Sequence, residues 1–588
     1  MSAEVNTPAS RNPITDHLDI WSSVYVKKAT TGRGSNGKIS PYGIQKLREL
    51  ILELAVQGKL VPQDPNHEPA SVLLKKIAKE KVRLVKEGGI KKQKKTAGIA
   101  DKDALFHCPA GWVWARLAQV APMSLIDGDW IETKDQDPSG GIRLIQLADV
   151  GVDEFKDVSQ KFVNEATYTK LKCTELEKGD VLIARLPNPI GRACLFPGLD
   201  QPAITVVDVA ILRPLGFMHD RYLIHAINST SFREQVESFG KGATRFRIST
   251  GNLKTILIPI PSLAEQHRIV AKVDELMALC DQLEQQQTDS LQVHQTLVET
   301  LLRTLVDAES TQQTWSRIAE HFDTLFTTEA SIDQLKQTIL QLAVMGRLVP
   351  QDLNDEPANG LLKKIAAENA KLVQEKKIKK HLPVEPFGDE SELPNSWETI
   401  VVQDFADVRL GSTPSRTESK YWGGDIPWVS SGEVANCVIH DTKEKITQDG
   451  FDNSSVSLIP KRSVLIAIIG QGKTRGQSAT LNIDACTNQN VAALVFNEDF
   501  VVPEFVWIWA KSKYESHRGE GRGGAQPALN GKKVRSFRFY LPPTAEQHRI
   551  VAKVDELMAL CDALKARIQD AQTTQTHLAD AIVEQAVA

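Results

Sequence analysis

AEQHRIVAKVDELMALCD, from Ala264 to Asp281, recurs letter for letter from Ala545 to Asp562, 281 residues further along a chain of 588. Eighteen consecutive identities mark a duplicated unit. Its apolar letters step by four and three. They fall at Ile269, Val273, Leu276, Cys280 and Leu283 in the first copy, and at Ile550, Val554, Leu557, Cys561, Leu564 and Ile568 in the second. This is the a/d spacing of a coiled-coil seam rather than the broader stripe of an ordinary globular helix. The same steps lead on to Leu297 and Leu301 in one copy and to Leu578 and Ile582 in the other, past polar Gln287, Ser290 and His294. Each helix is then about 40 residues long, roughly 60 Å at 1.5 Å per residue.

Outward from these struts lies a second repeat. IQKLRELILELAVQGKLVPQDPNHEPASVLLKKIA, from Ile44 to Ala78, matches IDQLKQTILQLAVMGRLVPQDLNDEPANGLLKKIA, from Ile332 to Ala366. Gly58 suits a helix C-cap, and Pro62 and Pro65 stop the helix before a second begins near Ala70. Lysine-rich tails follow both copies, KKQKK at 91–95 and KKIKK at 376–380. The centre of the chain holds strut and block in one piece, whereas the ends hold block and strut apart. The order is circular in logic, so the C-terminal strut is expected to pack beside the N-terminal block. Residues 1 to about 35, with Gly32, Gly34 and Gly37 close together, are expected to form a mobile arm. The stretch Asp307–Thr328 has no evident counterpart at the ends.

Two regions of different sequence, 105–262 and 384–543, lie between the repeats but share landmarks. Pro109-Ala-Gly-Trp112 answers Pro394-Asn-Ser-Trp397, and Val181-Leu-Ile-Ala184 answers Val464-Leu-Ile-Ala467. Short apolar runs broken by Gly, Asn, Asp and Pro predict strands with some helix, hence two α+β domains of one fold. Apolar content of 41%, charged content of 24% and a net charge of −4 are those of an ordinary soluble protein, and neither require nor exclude nucleic acid. The seven cysteines show no CxxC spacing and are expected to be reduced thiols of a cytoplasmic protein. No signal peptide and no long apolar run is present, so a membrane partner is not expected.

Three stretches invite a catalytic reading. Ala467-Ile-Ile-Gly-Gln-Gly472-Lys473-Thr474 fits a loose phosphate-loop pattern, but Arg475-Gly-Gln-Ser-Ala-Thr-Leu-Asn after it reads as turn and strand where the mechanism needs a helix. Asn188-Pro189-Ile190 resembles part of an amino-methyltransferase signature but lacks its second proline and its aromatic, and reads better as a proline turn. His267 and His548 recur at helix starts without a base or metal partner nearby.

Basic and amide side chains cluster at corresponding places in the two domains. The first offers Arg185, Asn188 and Arg192, then Lys241, Arg245 and Arg247; the second offers Lys473, Arg475 and Gln477, then Arg518, Arg522, Gln526 and Asn530. Arginine reads guanine and Asn or Gln reads adenine in the major groove, while lysine mostly holds phosphate. As a set they are the candidate DNA-binding residues.

Taken together, AEQHRIVAKVDEL twice, LAVQGKLVPQD and LAVMGRLVPQD, and the LPP-type exit before each strut resemble the specificity subunit of type I restriction-modification systems, and the long N-terminal block resembles the subgroup called family B. Gly411-Ser-Thr-Pro-Ser415 with Tyr421-Trp422 and Ile426-Pro-Trp428 adds a pattern typical of that family's recognition domains, which the first domain lacks. The resemblance implies two globular target-recognition domains joined by long antiparallel coiled-coil helices. Its parts would be a helical region 1–104, a recognition domain 105–262, a central helical region 263–383, a second recognition domain 384–543 and a C-terminal helix 544–588. It further implies a non-catalytic reader of double-stranded DNA, each domain taking one half of an asymmetric bipartite target. Two methyltransferase subunits carrying S-adenosylmethionine and two restriction (translocase) subunits using ATP and Mg would be its partners, with no cofactor or metal in this chain. Two other readings compete: a duplicated coiled-coil scaffold without a DNA role, and a phosphate-loop nucleotide-binding enzyme.

Overall fold

The runs Val181–Ala184 and Val464–Ala467 contain no polar letter because both faces of each strand are covered. Alternate residues of a strand point to opposite sides of its sheet. In the first run Val181 and Ile183 enter one apolar cluster, while Leu182 and Ala184 enter another. In the second, Val464 and Ile466 divide from Leu465 and Ala467 in the same way. A strand buried on both faces reads as a continuous apolar run rather than an alternating one.

The computed structural model describes residues 12–27, 39–88, 90, 98–123, 125–239, 247–388, 390–470, 474–514 and 529–588. The chain divides into two compact units. One contains Ile39–Asp289, the residues up to Val26 and Gln572–Ala588; the other is built on Ser290–Ala571. The content is α+β, and the same arrangement is built in each unit. In the first, Val181–Ala184 lies between Val209–Leu212 and Ala193–Leu195, antiparallel to both. In the second, Val464–Ala467 lies between Val491–Val495 and Ser478–Leu481, again antiparallel. A two-stranded ribbon closes each domain, Val113–Arg116 with Leu257–Ile260 in one and Glu398–Val401 with Arg538–Leu541 in the other. Each domain also carries a small mixed sheet with one parallel pair, Ile142–Ile145 beside Ala203–Thr205 and Trp422–Val429 beside Cys486–Thr487.

Both struts are single helices, Leu263–Asp307 and Thr544–Val587, of 45 and 44 residues. Their first halves bury the expected positions, including Ile269, Val273, Cys280, Ile550, Val554 and Cys561. Further on, the expected seam holds only in part. Ile582 is buried and Leu301 half-buried as expected, but Leu297 is 47% exposed and Leu578 46% exposed, with Val298, Leu302, Leu305 and Ala579 buried beside them. Val298 lies eighteen residues past Cys280, and Ala579 eighteen past Cys561. Eighteen residues make five turns at 3.6 per turn but fall out of step with a 3.5 repeat. Burial therefore follows the straight-helix period, and the polar middle positions serve other contacts. Gln287 donates to the Ser22 carbonyl within the first unit, and the His294 ring lies 3.2 Å from the Thr324 carbonyl within the second.

Each helical block holds two successive helices, Tyr42–Val56 and Ala70–Lys86 in the first and Glu329–Val344 and Ala358–Gln374 in the second. A cation from each block meets the last carbonyls of a long helix. Lys59 donates to the Val587 carbonyl at 3.2 Å, and its counterpart Arg347 donates to those of Val306 and Ala308 at 2.7 and 3.0 Å. Positive charge is favourable at that end of the helix dipole.

Two sequence expectations are corrected here. Residues 12–26 of the N-terminal arm pack onto the first block, with Ile14 and Trp21 in its core. Part of Asp307–Thr328 does have a counterpart: Ile14-x-x-His17-Leu18-Asp19-x-Trp21 matches Ile318-x-x-His321-Phe322-Asp323-x-Leu325. The buried positions correspond, Ile14 with Ile318 and Trp21 with Leu325. Pattern matching missed this piece because it is short and its largest buried letter changes from Trp to Leu. No described helix is long and apolar enough to cross a membrane. All seven cysteines are free thiols, and burial pushes that of Cys280 up to about 11.

Candidate nucleic-acid interface

In each unit four separate chain segments converge at one end of the main sheet. Glycine makes the approach possible. A Cβ on Gly128 would lie 2.1 Å from the Val206 carbonyl, and one on Gly411 would lie 2.1 Å from that of Thr487. Any side chain there would push apart the turn and the loop it crosses. Gly128 is thus the first domain's counterpart of the glycine that opens Gly411-Ser-Thr-Pro-Ser415, a correspondence hidden by the different letters around it.

In the first unit the hairpin loop after Ala184 meets the turn Val206–Asp208, the segment Asp127–Trp130 and the chain around Arg247–Thr250. Arg185 is buried and donates to the carbonyls of Ile248 and Val207 at 3.0 and 2.9 Å and to the Asp127 carboxylate at 2.7 Å. Burial, then the neighbouring Arg247 cation, holds its pKa below the ordinary arginine value. Arg247 donates to the Val207 carbonyl and pairs with Asp208. Thr250 closes the set by donating to Asp127. Arg192 is also buried, its guanidinium directed to the carbonyls of Leu147, Val150, Leu186 and Pro189. Asn188 is exposed in the same hairpin loop. Lys241 and Arg245 lie outside the described residues. Trp130, 66% exposed beside Gly128, belongs to this region and was not legible as a site residue in the sequence.

In the second unit the hairpin between Val464–Ala467 and Ser478–Leu481 contains Arg475 and Gln477, both half-buried. The order strand, turn, strand removes the helix that a phosphate loop requires after Lys-Thr, and the nucleotide-binding reading fails on topology. The loop Thr487–Asn490 lies beside this hairpin, the Ile468 amide donating to the Asn490 carbonyl at 2.9 Å. It also meets the Gly411 turn, where Thr413 donates to the Gln489 side chain. Asn530 caps the helix Gly531–Arg535 by accepting from the Lys533 amide. That helix start faces the same turn, since a Cβ on Gly531 would lie 3.1 Å from Leu410 Cδ1. Lys473, Arg518, Arg522 and Gln526 lie outside the described residues.

The tryptophans of the second domain's motif frame this turn. Trp428 Nε1 donates to the Ser412 carbonyl at 3.0 Å and Trp422 Nε1 to that of Ser415 at 3.1 Å. Arg416 stacks 3.7 Å above the Trp422 ring and pairs with Glu444. Thr413, Gln489 and Asn490 join the candidate surface; the amide run Asn488-Gln489-Asn490 is visible in the sequence, but nothing local ties it to the Gly411 turn it meets in the fold. Among the described residues no group of three or more His, Cys, Asp or Glu side chains is placed to hold a metal ion.

The chain is 39% identical to the type I restriction enzyme EcoAI specificity subunit of Escherichia coli, over 98% of its length and 99% of that protein. It is 38% identical to the EcoEI specificity subunit of the same organism, with the same coverage. A crystal structure of the HsdS subunit from Thermoanaerobacter tengcongensis aligns with 83% of this chain and 99% of its own, at 18% identity and a TM-score of 0.39. The family pattern described as the type I restriction modification DNA specificity domain matches twice, at residues 109–293 and 394–571. Each match begins at the Pro-x-x-Trp landmark and ends within a long helix, so the pattern follows the duplication, and the chain belongs to the type I restriction-modification DNA specificity family.

Proposed function

We propose that this chain is the non-catalytic DNA reader of a type I restriction-modification complex, with one half of an asymmetric bipartite target taken by 105–262 and the other by 384–543. The observation that carries this reading is the repeated convergence of four segments on one frame, with different basic, amide and aromatic side chains in each copy. Equal frames with unlike surfaces suit two unlike half-sites. In the first domain Asn188, Arg247 and Trp130 contact DNA together with Lys241 and Arg245, while the buried Arg185 and Arg192 hold the hairpin loop that presents Asn188. In the second, Arg475, Gln477, Gln489 and Asn530 do so with Lys473, Arg518, Arg522 and Gln526.

The helical regions 1–104, 263–383 and 544–588 link the two readers. The long helices pair antiparallel and fix the spacing between half-sites. Half-sites read from one face of DNA lie about 34 Å apart per helical turn, within the reach of helices of 45 and 44 residues. The same regions dock two methyltransferase subunits, which bring S-adenosylmethionine, and two restriction subunits, which bring ATP and Mg. This chain contributes recognition alone.

The test is methylation mapping of genomic DNA from cells expressing this chain with its modification partner. A single bipartite motif that vanishes without this chain is expected; methylation whose motif is indifferent to this chain overturns the reading.

A further inference from the structure

The duplicated letters begin Ala-Glu-Gln, and both polar residues are buried in both copies. Trp112 Nε1 donates to Glu265 Oε2 at 2.9 Å, and Trp397 Nε1 donates to Glu546 Oε2 at 3.0 Å. Both tryptophans come from the Pro-x-x-Trp landmark where the chain enters a recognition domain. The helical block completes the joint. A Cβ on Gly58 would lie 2.5 Å from Pro109 Cγ and 3.2 Å from the Trp112 ring; on Gly346 the distances to Pro394 and Trp397 would be 2.6 and 3.1 Å. Gln63 lies within hydrogen-bond distance of the Trp112 indole, and Gln351 donates to Glu546.

The glutamine grips the domain at a second point. Gln266 accepts from the His219 amide at 2.8 Å, at the start of helix Asp220–Asn228, and donates to the Pro261 carbonyl. Gln547 accepts from the Val502 amide at 2.8 Å, at the start of helix Pro503–Ser512, and donates to the Pro542 carbonyl. Apart from the Met218 sulfur, 3.7 Å from Gln266 Nε2, each domain supplies these two residues with one indole and backbone groups. The mount therefore asks little of a domain's sequence, which is what domains of unlike sequence on the same eighteen-residue stretch need.

Burying a carboxyl is costly, and burial raises the pKa of both Glu265 and Glu546. An apolar contact would hold domain to helix at less cost, but without the directionality of hydrogen bonds. We infer that Glu265 with Gln266, and Glu546 with Gln547, are positioning residues for target recognition: each pair fixes the orientation of its domain on its long helix and so sets the spacer length the protein accepts. This rests on the proposed reading of the two domains as half-site readers.

The test uses the full chain assembled with its modification subunits. Methylation is measured on duplexes with constant half-sites and spacers one or two base pairs longer or shorter. Trp112→Phe keeps the ring against Gly58 and Pro109 but removes the donor; Gln266→Met keeps volume but removes both grips. Either is expected to reduce discrimination between spacers by roughly tenfold, the scale of one lost buried hydrogen bond, with base preference in both half-sites unchanged. Glu265→Gln keeps an acceptor for the indole and is expected to retain the original discrimination. Thermal unfolding identifies the folded variants, and if Gln266→Met does not fold, Trp112→Phe decides alone. Unaltered spacer discrimination in a folded Trp112→Phe complex overturns the inference. A wild-type complex that methylates no bipartite site would instead overturn the functional reading, before any variant is compared.

Discussion

Tyr42 donates a hydrogen bond to Asp580 at 2.8 Å across 538 residues of sequence. Lys46 pairs with the same carboxylate, and Ala579 and Ile582 enter the core formed by Ile44, Leu47 and Leu50. The last turns of the chain thus pack on its first helical block. Val587 bonded to Lys59 does what Val306 bonded to Arg347 does in the other unit, where block and long helix are continuous in sequence.

A circular permutant should therefore fold and keep its target. Joining Ala588 to a start near Asn12 through a short linker, with new termini between Ala308 and Glu309, recreates at the centre the ends that the chain already has. A cut within 311–328 should be worse, because Ile318, Leu325 and Phe326 are buried there. Thermal unfolding and the methylation motif of the two permutants distinguish these outcomes.

Arg192 and Asn188 share one loop but should fail differently. Arg192→Leu leaves the carbonyls of Leu147, Val150, Leu186 and Pro189 without their donor and should cost about 3 kcal/mol or more of stability. Asn188→Ala, at an exposed position, should change stability by no more than about 0.5 kcal/mol. It should lower methylation roughly tenfold, with discrimination relaxed in one half-site only. Denaturant unfolding and methylation of half-site variants check both.

The buried glutamates give stability a definite pH dependence. Burial raises Glu265 and Glu546 above their ordinary value of 4.5, so between 4.5 and the raised value the folded state binds more protons than the unfolded one. Their favourable contribution is complete below 4.5 and is lost as pH rises through the folded pKa. A Glu265→Gln, Glu546→Gln double variant lacks this titration. Its stability relative to wild type should rise across that window and level off above it, in urea unfolding followed from roughly pH 4 to 8.

Replacing 384–543 with another family member's recognition domain should change one half-site and leave the other and the spacer intact. The imported domain needs only its Pro-x-x-Trp landmark to seat on Glu546. Methylation mapping that showed both halves altered would contradict the division of labour.

The sequence by itself determined the duplication, the helical character of the struts and blocks, and the shared frame of the two domains. Those features are written in local periodicity and in letters that repeat: four apolar residues at Val181–Ala184 and again at Val464–Ala467 leave few alternatives to a strand buried on both faces. Tertiary structure decided what depends on neighbours distant in sequence. Arg185 and Arg192 look like groove readers in one dimension, yet backbone carbonyls from other segments surround both guanidiniums. Gly128 and Gly411 become equivalent only where each crosses a carbonyl 2.1 Å from its missing Cβ. Leu297 and Leu578 fit a heptad on paper, but five straight turns carry burial to Val298 and Ala579 instead. A sequence fixes which side chains are available, whereas their exposure depends on which distant segments arrive beside them.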